Sequence, residues 1–202
     1  MTVRAKRGRP AAGPERRDSI LEAALACFVE RGFYGTAIPE IAAKANIAPG
    51  TIYHHFENKE ALVNALYRQW KGAIARRVFM AFPQGAPVRR QFQVIWNEMV
   101  EFALANPTAF AFVELHMHAS YLDAESKAVD RNVKEFARGV IERAQRDGLV
   151  KPLGATVLME LMFGAFIGMM RAHWEGRIEL SEAVIRDAEQ ACWDAVAMHS
   201  AP

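Results

Sequence analysis

The stretch that decides the fold is TAIPEIAAKANIAPGTIYHHFENKEAL, which occupies residues 36–62. We predict that it contains two short helices joined by a three-residue turn. Thr36 is a natural N-cap for the first helix, and Asn46 tolerates the positive φ that a sharp reversal requires. Pro49 favours the start of the second helix, because proline is accepted at a first helical position. This arrangement is typical of a helix-turn-helix.

Helical periodicity extends on both sides of this motif. Before it, apolar residues recur at steps of one, three and four between Ile20 and Val29, and Gly32 then favours a left-handed helix end. After it, Asn58 is a natural N-cap for a long helix whose apolar stripe begins at Leu62. The motif therefore follows one longer helix and precedes another.

The remainder of the chain predicts further helices and no strand, because no segment alternates with period two. Turn residues divide it into five more helices, expected to end near Ala105, Leu122, Gly148, Glu175 and His199. We therefore predict an all-α protein of about nine helices. Its parts are a flexible basic arm at 1–14, a three-helix domain with the helix-turn-helix at 15–60, and a larger helical domain at 61–202.

Charge is distributed unevenly along the chain. The net charge of the 202 residues is +2, but residues 1–77 carry +6 and residues 78–202 carry −4. A basic first part beside an acidic second part indicates that only the first part meets a polyanion such as nucleic acid. Surface charges that are merely distributed unevenly and bind no polyanion give the same counts. The pattern alone therefore leaves both interpretations open.

Cysteine usage and the N-terminal composition favour a soluble cytoplasmic protein. Cys27 and Cys192 each lie in an apolar helical pattern, which is typical of buried thiols and not of a disulfide framework. The basic N-terminus lacks the apolar stretch of a signal peptide. Residues 155–170 are apolar, but Glu160 interrupts them and they are too short to span a bilayer comfortably.

Two segments, TAIPEIA at 36–42 and ANIAPGTIYHHFENKEAL at 45–62, resemble the N-terminal domain of the TetR family of bacterial regulators. The resemblance covers roughly residues 15–65 and constrains many consecutive positions, so it is highly specific. It implies a DNA-binding transcriptional regulator that binds a palindromic operator as a homodimer. It also implies that residues 61–202 serve effector binding and dimerisation. The leading hypothesis is a repressor that a small hydrophobic effector releases from its operator.

The resemblance assigns DNA-contacting roles within the motif. Thr36, at a helix N-terminus, is expected to hydrogen-bond a phosphate, and Lys59 to hold a phosphate from the first turn of the fourth helix. Gly50 lets the recognition helix approach DNA closely, and Thr51 offers a methyl or hydroxyl group to a base edge. The other predicted contacts of this helix are Ala48, Pro49, Tyr53 and His54.

Two of these positions depart from the family pattern. Ala48 stands where a serine cap is common, and the loss of a side-chain cap costs a helix about 1 kcal/mol. Pro49 stands where a lysine or arginine is common, so one phosphate contact is absent. Both departures leave the motif intact and bear on which operator sequence it recognises.

The basic arm has two interpretations. Its cations are Arg4, Lys6, Arg7 and Arg9. They form either a disordered solubilising tail or an arm that lies in the adjacent minor groove of DNA, where the narrow groove concentrates negative potential. The composition suits both interpretations equally.

The last two helices carry faces of small and apolar residues. A helix that is apolar on nearly all sides must be buried on most of them, within one subunit or between two. In proteins that the chain resembles, these helices pair with their symmetry mates as a four-helix bundle. The predicted dimer-interface residues are therefore Val157, Leu161, Gly164, Gly168, Ala188, Ala191, Cys192 and Ala195.

Large apolar side chains are concentrated in the middle helices. Aromatic residues at helical spacing usually form a core, but together with a few polar groups they also suit an adaptable small-molecule pocket, where the resemblance places the effector. The predicted pocket residues are Phe92, Trp96, Met99, Phe110, Glu114, His116, His118, Tyr121, Phe136 and Phe163. Glu114 and His118 share a helix face, but two ligands are too few for a metal site, so neither a metal nor a cofactor is predicted.

Two other functions are considered. The same scaffold suits a ligand-independent DNA-binding or nucleoid-associated protein, in which the aromatic side chains form only a core. An enzyme has little support, because the sequence contains no nucleophile elbow, phosphate loop or paired carboxylate set.

Overall fold

The structure is a computed structural model that describes residues 13–115 and 120–198. Over these residues the chain forms nine α-helices and one π-helical segment. It forms no strand there, only an isolated antiparallel bridge between Val150 and Ala197. The all-α prediction is confirmed. The arm cations Arg4, Lys6, Arg7 and Arg9 and the histidines His116 and His118 lie outside the described residues.

The chain divides into two compact units between Leu66 and Tyr67. The boundary expected after residue 60 lies within the fourth helix, whose first turns contribute the fully buried Leu62 and Leu66 to the first unit. The first unit contains α1 (Gly13–Arg31), α2 (Ile38–Lys44), α3 (Pro49–Tyr53) and the beginning of α4 (Lys59–Ala81). α1 begins two residues inside the segment predicted as a flexible arm, since proline is accepted in a first helical turn.

Local backbone signals set the ends of these helices as the sequence predicts. Gly32 has φ +69°, and its N–H donates to the carbonyl oxygen of Phe28 at 2.8 Å, which ends α1. Asn46 has φ +53° in the turn between α2 and α3. The side-chain oxygen of Asn58 accepts from the N–H of Ala61 at 2.7 Å and so caps α4.

Two helix ends differ from the prediction. The N-cap of α2 is Ala37 and not Thr36. The carboxylate of Glu40 accepts a hydrogen bond from the N–H of Ala37 at 2.9 Å. A side chain from the first turn of α2 therefore satisfies the backbone N–H of its N-cap residue. α3 ends at Tyr53, two residues before His55, which was expected to end it.

The second unit consists of the rest of α4 and five further helices. These are α5 (Val88–Ala105), α6 (Pro107–Phe110), α7 (Ala124–Arg146), α8 (Ala155–Trp174) and α9 (Glu182–Val196). α6 has only four residues and continues as the π-helical segment Ala111–Leu115, where one longer helix was expected. Hydrophobic spacing does not distinguish the two helix types over so short a stretch, because it reports a face and not the hydrogen-bond register.

A cluster of buried apolar residues joins α7, α8 and α9. Ile141 and Ala144 of α7 pack there with Leu158 of α8 and Val196 of α9. Asp123 caps the start of α7 by accepting from the N–H of Ser126 at 2.7 Å. Although partial burial acts in the opposite direction, hydrogen bonds from Ser126 and Arg68 lower the pKa of Asp123 below its ordinary value.

α8 keeps part of its apolar surface exposed, at Val157 and Leu161. Within residues 13–115 and 120–198 it is the helix that is long and apolar enough to cross a membrane, judged by length and composition alone. Only 22% of its apolar window is buried. The helix extends beyond the apolar stretch 155–170 to Trp174 and reaches 20 residues.

Candidate nucleic-acid interface and ligand cavity

α3 is held by one buried face and presents the rest of its surface to solvent. Ile52 is fully buried in the first unit. Thr51 is half-buried, and the remaining predicted contacts are exposed, namely Ala48, Pro49, Gly50, Tyr53 and His54. The DNA contacts that the sequence assigns to the recognition helix therefore lie together on the open surface of α3 and its two cap residues. Ala48 is its N-cap and provides no side-chain hydrogen bond, as the departure from the family pattern predicts.

Gly50 is not required by the fold of the chain itself. A Cβ built on Gly50 meets no atom within 4 Å. At Gly35, by contrast, a Cβ would collide with the carbonyl oxygen of Arg31, so that glycine is needed where the chain passes the end of α1. The described residues therefore give no steric reason for glycine at position 50.

Thr36 does not have the role predicted for it. The residue is 2% exposed, and its hydroxyl lies 2.8 Å from the carbonyl oxygen of Gly32 and 3.1 Å from that of Cys27, so it donates within the first unit. A side chain held in this way does not reach a phosphate. The prediction failed because a threonine before a helix suits both an N-cap and a loop anchor, and only tertiary contacts distinguish them.

Lys59 also makes contacts that the sequence does not indicate. Its ammonium group donates to the carbonyl oxygens of Phe33 at 2.8 Å and Thr36 at 2.9 Å, and it lies 4.3 Å from the ring centroid of Phe33. These contacts fasten the first residue of α4 to the loop before α2. Lys59 therefore positions the helix-turn-helix, and the predicted phosphate contact is corrected to this internal one. No local signal reveals it, because the partners lie 26 and 23 residues away.

Two exposed residues of the first unit were not among the predicted contacts. Lys44 is the last residue of α2 and is exposed, and Tyr34 is exposed in the loop between α1 and α2. Lys44 could have been predicted from the sequence as a phosphate contact, because it is a cation in the helix that precedes the turn.

The second unit contains an apolar cavity of about 150 Å³. All sixteen residues that line it are aliphatic, aromatic or methionine. They are Val88, Phe92, Ile95, Trp96, Met99, Ala137, Val140, Ile141, Ala144, Val150, Met159, Met162, Phe163, Phe166, Trp193 and Val196. Four of the predicted pocket residues, Phe92, Trp96, Met99 and Phe163, are therefore brought together. The residues of α7 and α9 were missed, because spacing along one helix does not indicate which other helices face it.

The other predicted pocket residues lie elsewhere. Phe110 is buried in aromatic packing, 5.8 Å from the Phe166 ring and 5.6 Å from the Trp174 ring, measured between centroids. Phe136 packs against Phe79 and Phe82 and lines a separate open cleft. Tyr121 is half-buried and does not line the cavity. The predicted roles of His116 and His118 fall outside the described residues.

Glu114 belongs to a buried polar network and not to the cavity. Its carboxylate accepts from the ammonium group of Lys71 at 2.8 Å. Lys71 also lies 3.8 Å from Asp130, which pairs with Lys134 at 2.8 Å. The hydrogen bond to Asp130 raises the pKa of Lys134. Burial, together with the charge of Asp130, raises the pKa of Tyr67 far above its ordinary value.

The predicted interface residues divide into exposed, half-buried and buried positions. Val157, Leu161, Gly164, Ala191 and Ala195 are exposed, and Gly168 and Ala188 are half-buried. Cys192 is buried, and its sulfur lies 3.8 Å from the carbonyl oxygen of Met162 in the same chain. Burial raises the pKa of the Cys192 thiol to about 11. Cys192 is therefore corrected from an interface residue to an interior one.

A helix-turn-helix with an exposed α3, followed by a helical unit with an apolar cavity, defines a DNA-binding regulator with a second, helical domain. Residues 20–66 match the family profile described as bacterial regulatory proteins, tetR family. Residues 69–198 match the profile described as tetracyclin repressor-like, C-terminal domain. The chain belongs to the tetR family of bacterial regulatory proteins. It is accordingly a DNA-binding transcriptional regulator.

Two relatives with known names are similar over two thirds or more of their length. The chain is 26% identical over 136 residues to the HTH-type transcriptional repressor KstR2 of Rhodococcus jostii, which covers 66% of this chain and 67% of that protein. It is 27% identical to the probable acrEF/envCD operon repressor of Escherichia coli, over 77% of this chain and 74% of that protein. A TetR family transcription regulator of Marinobacter aquaeolei has the same fold, with a TM-score of 0.82, 24% identity and coverage of 92% and 97%.

Proposed function

We propose that the protein is a dimeric, cytoplasmic repressor that holds a palindromic operator with its two α3 helices and leaves it when a small hydrophobic molecule occupies the cavity. The observation that carries this proposal is the open surface of α3. Its predicted contact residues are exposed except for the half-buried Thr51, and a Cβ at Gly50 would meet no atom of the described residues. A thin helix held from behind by one buried side chain suits the major groove.

The cavity supports the effector part of the proposal. It is lined only by apolar groups, and such a cavity binds apolar molecules in preference to water. An effector releases DNA only by binding more tightly to the conformation that does not fit the operator. α4 is one continuous helix that begins at Lys59 in the first unit and carries Lys71 in the second. We infer that it acts as the lever between ligand and DNA.

Selection of bound duplexes from a random pool tests the proposal. We expect a two-fold symmetric consensus whose affinity falls steeply as the salt concentration rises, because phosphate contacts release counterions. Hydrophobic molecules that enter the cavity are then expected to release the selected duplex in a dose-dependent way. A pool that remains random after selection would instead favour the nucleoid-associated alternative. A specific site that no ligand releases would favour a ligand-independent regulator.

We propose that a second copy of the chain covers the apolar face of α8 and α9. Val157 and Leu161 are exposed there, and a Cβ at Gly164 meets no atom within 4 Å. Glycines with open space on an exposed apolar face permit the backbone of another helix to approach closely. Two-fold pairing covers such a face and matches a two-fold symmetric operator.

Replacing Gly164 by leucine is expected to weaken the dimer at least about tenfold, because the new side chain fills the space proposed for the partner. Gly139→Leu is the matched control, since Gly139 is a helical glycine of α7 with equally open space at its Cβ. Sedimentation equilibrium of the wild type and both variants measures the effect. A wild type that sediments as a monomer or partitions into membranes contradicts the interface, as does an unweakened Gly164→Leu dimer.

A further inference from the structure

The walls of the apolar cavity offer a ligand almost nothing to hydrogen-bond. Of the described residues that line it, none has a charged, hydroxyl or amide side chain. The indole nitrogen of Trp96 is itself buried. All lining residues except Val150 lie in α5, α7, α8 or α9, whose backbone groups bond along their own helix. A polar group of a ligand would lose its bonds to water here without replacement, which is strongly unfavourable.

The size of the cavity limits its occupant to about one ring. The volume is about 150 Å³, and an apolar cavity of about this size stays dry and accommodates a benzene ring. The smallest side chains in the wall are those of Ala137 and Ala144, both on α7. The space therefore depends on the absence of bulk at these two positions.

Aromatic side chains form a connected group around the cavity. Phe92 lies 5.6 Å from Trp193 and 6.0 Å from Trp96, measured between ring centroids. Trp96 packs edge to face on Phe166 at 5.4 Å. All four rings line the cavity. Because aromatic rings attract one another at such distances beyond the effect of area burial, an aromatic ring in the cavity gains contacts that a saturated ring does not.

We infer that the cavity binds one molecule of a single-ring aromatic hydrocarbon, for which toluene is the probe. A carboxylate, an alcohol or an amine does not fit, because its polar group would be buried against apolar walls. A larger ring system exceeds the volume. The inference rests on the proposed function in taking this cavity as the effector site, and it names the chemical class of the effector.

Methionine methyl groups report directly on the occupant of the cavity. Met99, Met159 and Met162 line it, whereas Met80 and Met198 are exposed and do not. The full-length protein, labelled with ¹³C at its methionine methyl groups, is titrated with toluene and followed by NMR, and single substitutions of methionine by leucine supply the assignments. We expect the ring current of bound toluene to shift the resonances of the three cavity methionines and to leave those of the two exposed ones unchanged.

A larger side chain at position 137 should take the place of the ligand. Ala137 is a half-buried residue of α7 that lines the cavity. Ala137→Leu is expected to weaken toluene binding at least about tenfold, because the added side chain fills the space. Ala128→Leu is the matched control, since Ala128 is also a half-buried alanine of α7 but does not line the cavity. This variant should bind toluene as the wild type does.

Two further probes separate the chemical classes of ligand. Methylcyclohexane has the carbon skeleton of toluene without the aromatic face, and benzoate keeps the aromatic ring and adds a charge. Isothermal titration calorimetry with the wild type measures the affinity of all three probes. After correction for its transfer from water into alkane, methylcyclohexane should bind about fivefold more weakly than toluene. Benzoate should bind at least about a hundredfold more weakly.

Each outcome decides the inference separately from the proposed function. Toluene that leaves the cavity methionines unshifted overturns the inference, and this readout requires only wild-type protein if Ala137→Leu does not fold. Equal toluene affinity in Ala137→Leu and the wild type also overturns it, as does methylcyclohexane or benzoate that binds as tightly as toluene. Toluene that occupies the cavity but does not release the selected duplex leaves the inference standing and contradicts the proposed function. Release of the duplex by another hydrophobic molecule, without toluene binding, contradicts the inference alone.

Discussion

Replacement of Gly50 by leucine is expected to lower the affinity for the selected operator about a hundredfold while leaving the stability of the protein unchanged. The substitution adds a side chain to the exposed surface of α3, where a Cβ meets no atom of the described residues within 4 Å. On DNA the same side chain would hold the helix away from the groove. Loss of two base contacts, at about 1–3 kcal/mol each, gives an effect of this size.

The stability of Gly50→Leu is as informative as its affinity. Glycine inside a helix is less favourable than leucine by several tenths of a kcal/mol, so denaturation should show a midpoint equal to or slightly above that of the wild type. Gly139→Leu, on α7, should bind the operator as the wild type does. Affinity is measured by fluorescence anisotropy at two salt concentrations. A Gly50→Leu protein that keeps operator affinity within about threefold would show that α3 does not approach the bases closely.

The helix-turn-helix was predictable because its determinants are local. Gly32 and Asn46 adopt the positive φ that their residue types favour, and Asn58 caps the next helix through its own side chain. Each of these signals lies within a few residues of the structure that it causes. The same is true of the spacing that brings Phe92, Trp96 and Met99 to one face of α5.

The errors in the predicted sites concern side chains whose orientation depends on distant partners. Thr36 and Lys59 have polar groups that suit a phosphate, but carbonyl oxygens of the loop between α1 and α2 and of α1 itself already accept from them. Glu114 was expected in a pocket, and its partner Lys71 lies 43 residues away. A residue type indicates what a side chain can bind, whereas the fold decides which partner is within reach.

The Lys71–Glu114 pair is expected to give the largest stability effect in the second unit. The two side chains are 11% and 9% exposed, and their charged atoms are 2.8 Å apart. Lys71→Met would remove the cation that the described residues place beside the buried carboxylate of Glu114. Breaking a buried pair in this way costs about 3–5 kcal/mol. Arg77→Met is the matched control on the same helix, because Arg77 is 37% exposed in its pairs with Glu98 and Glu101 and should cost less than about 1 kcal/mol.

The double variant Lys71→Met/Glu114→Leu distinguishes two causes of a stability loss in Lys71→Met. One is the unpaired buried charge of Glu114, and the other is the loss of the lysine side chain itself. The double variant removes both charges and should recover most of the stability that Lys71→Met loses, since a well-packed apolar pair often replaces a buried ion pair without net cost. Urea denaturation of the wild type, both single variants and the double variant completes the cycle, and a coupling above about 1.5 kcal/mol is expected. Two results would contradict this. Either Lys71→Met lowers the free energy of unfolding no more than Arg77→Met does, or adding Glu114→Leu to Lys71→Met restores no stability. In both cases Lys71 would not be what stabilises the buried carboxylate of Glu114.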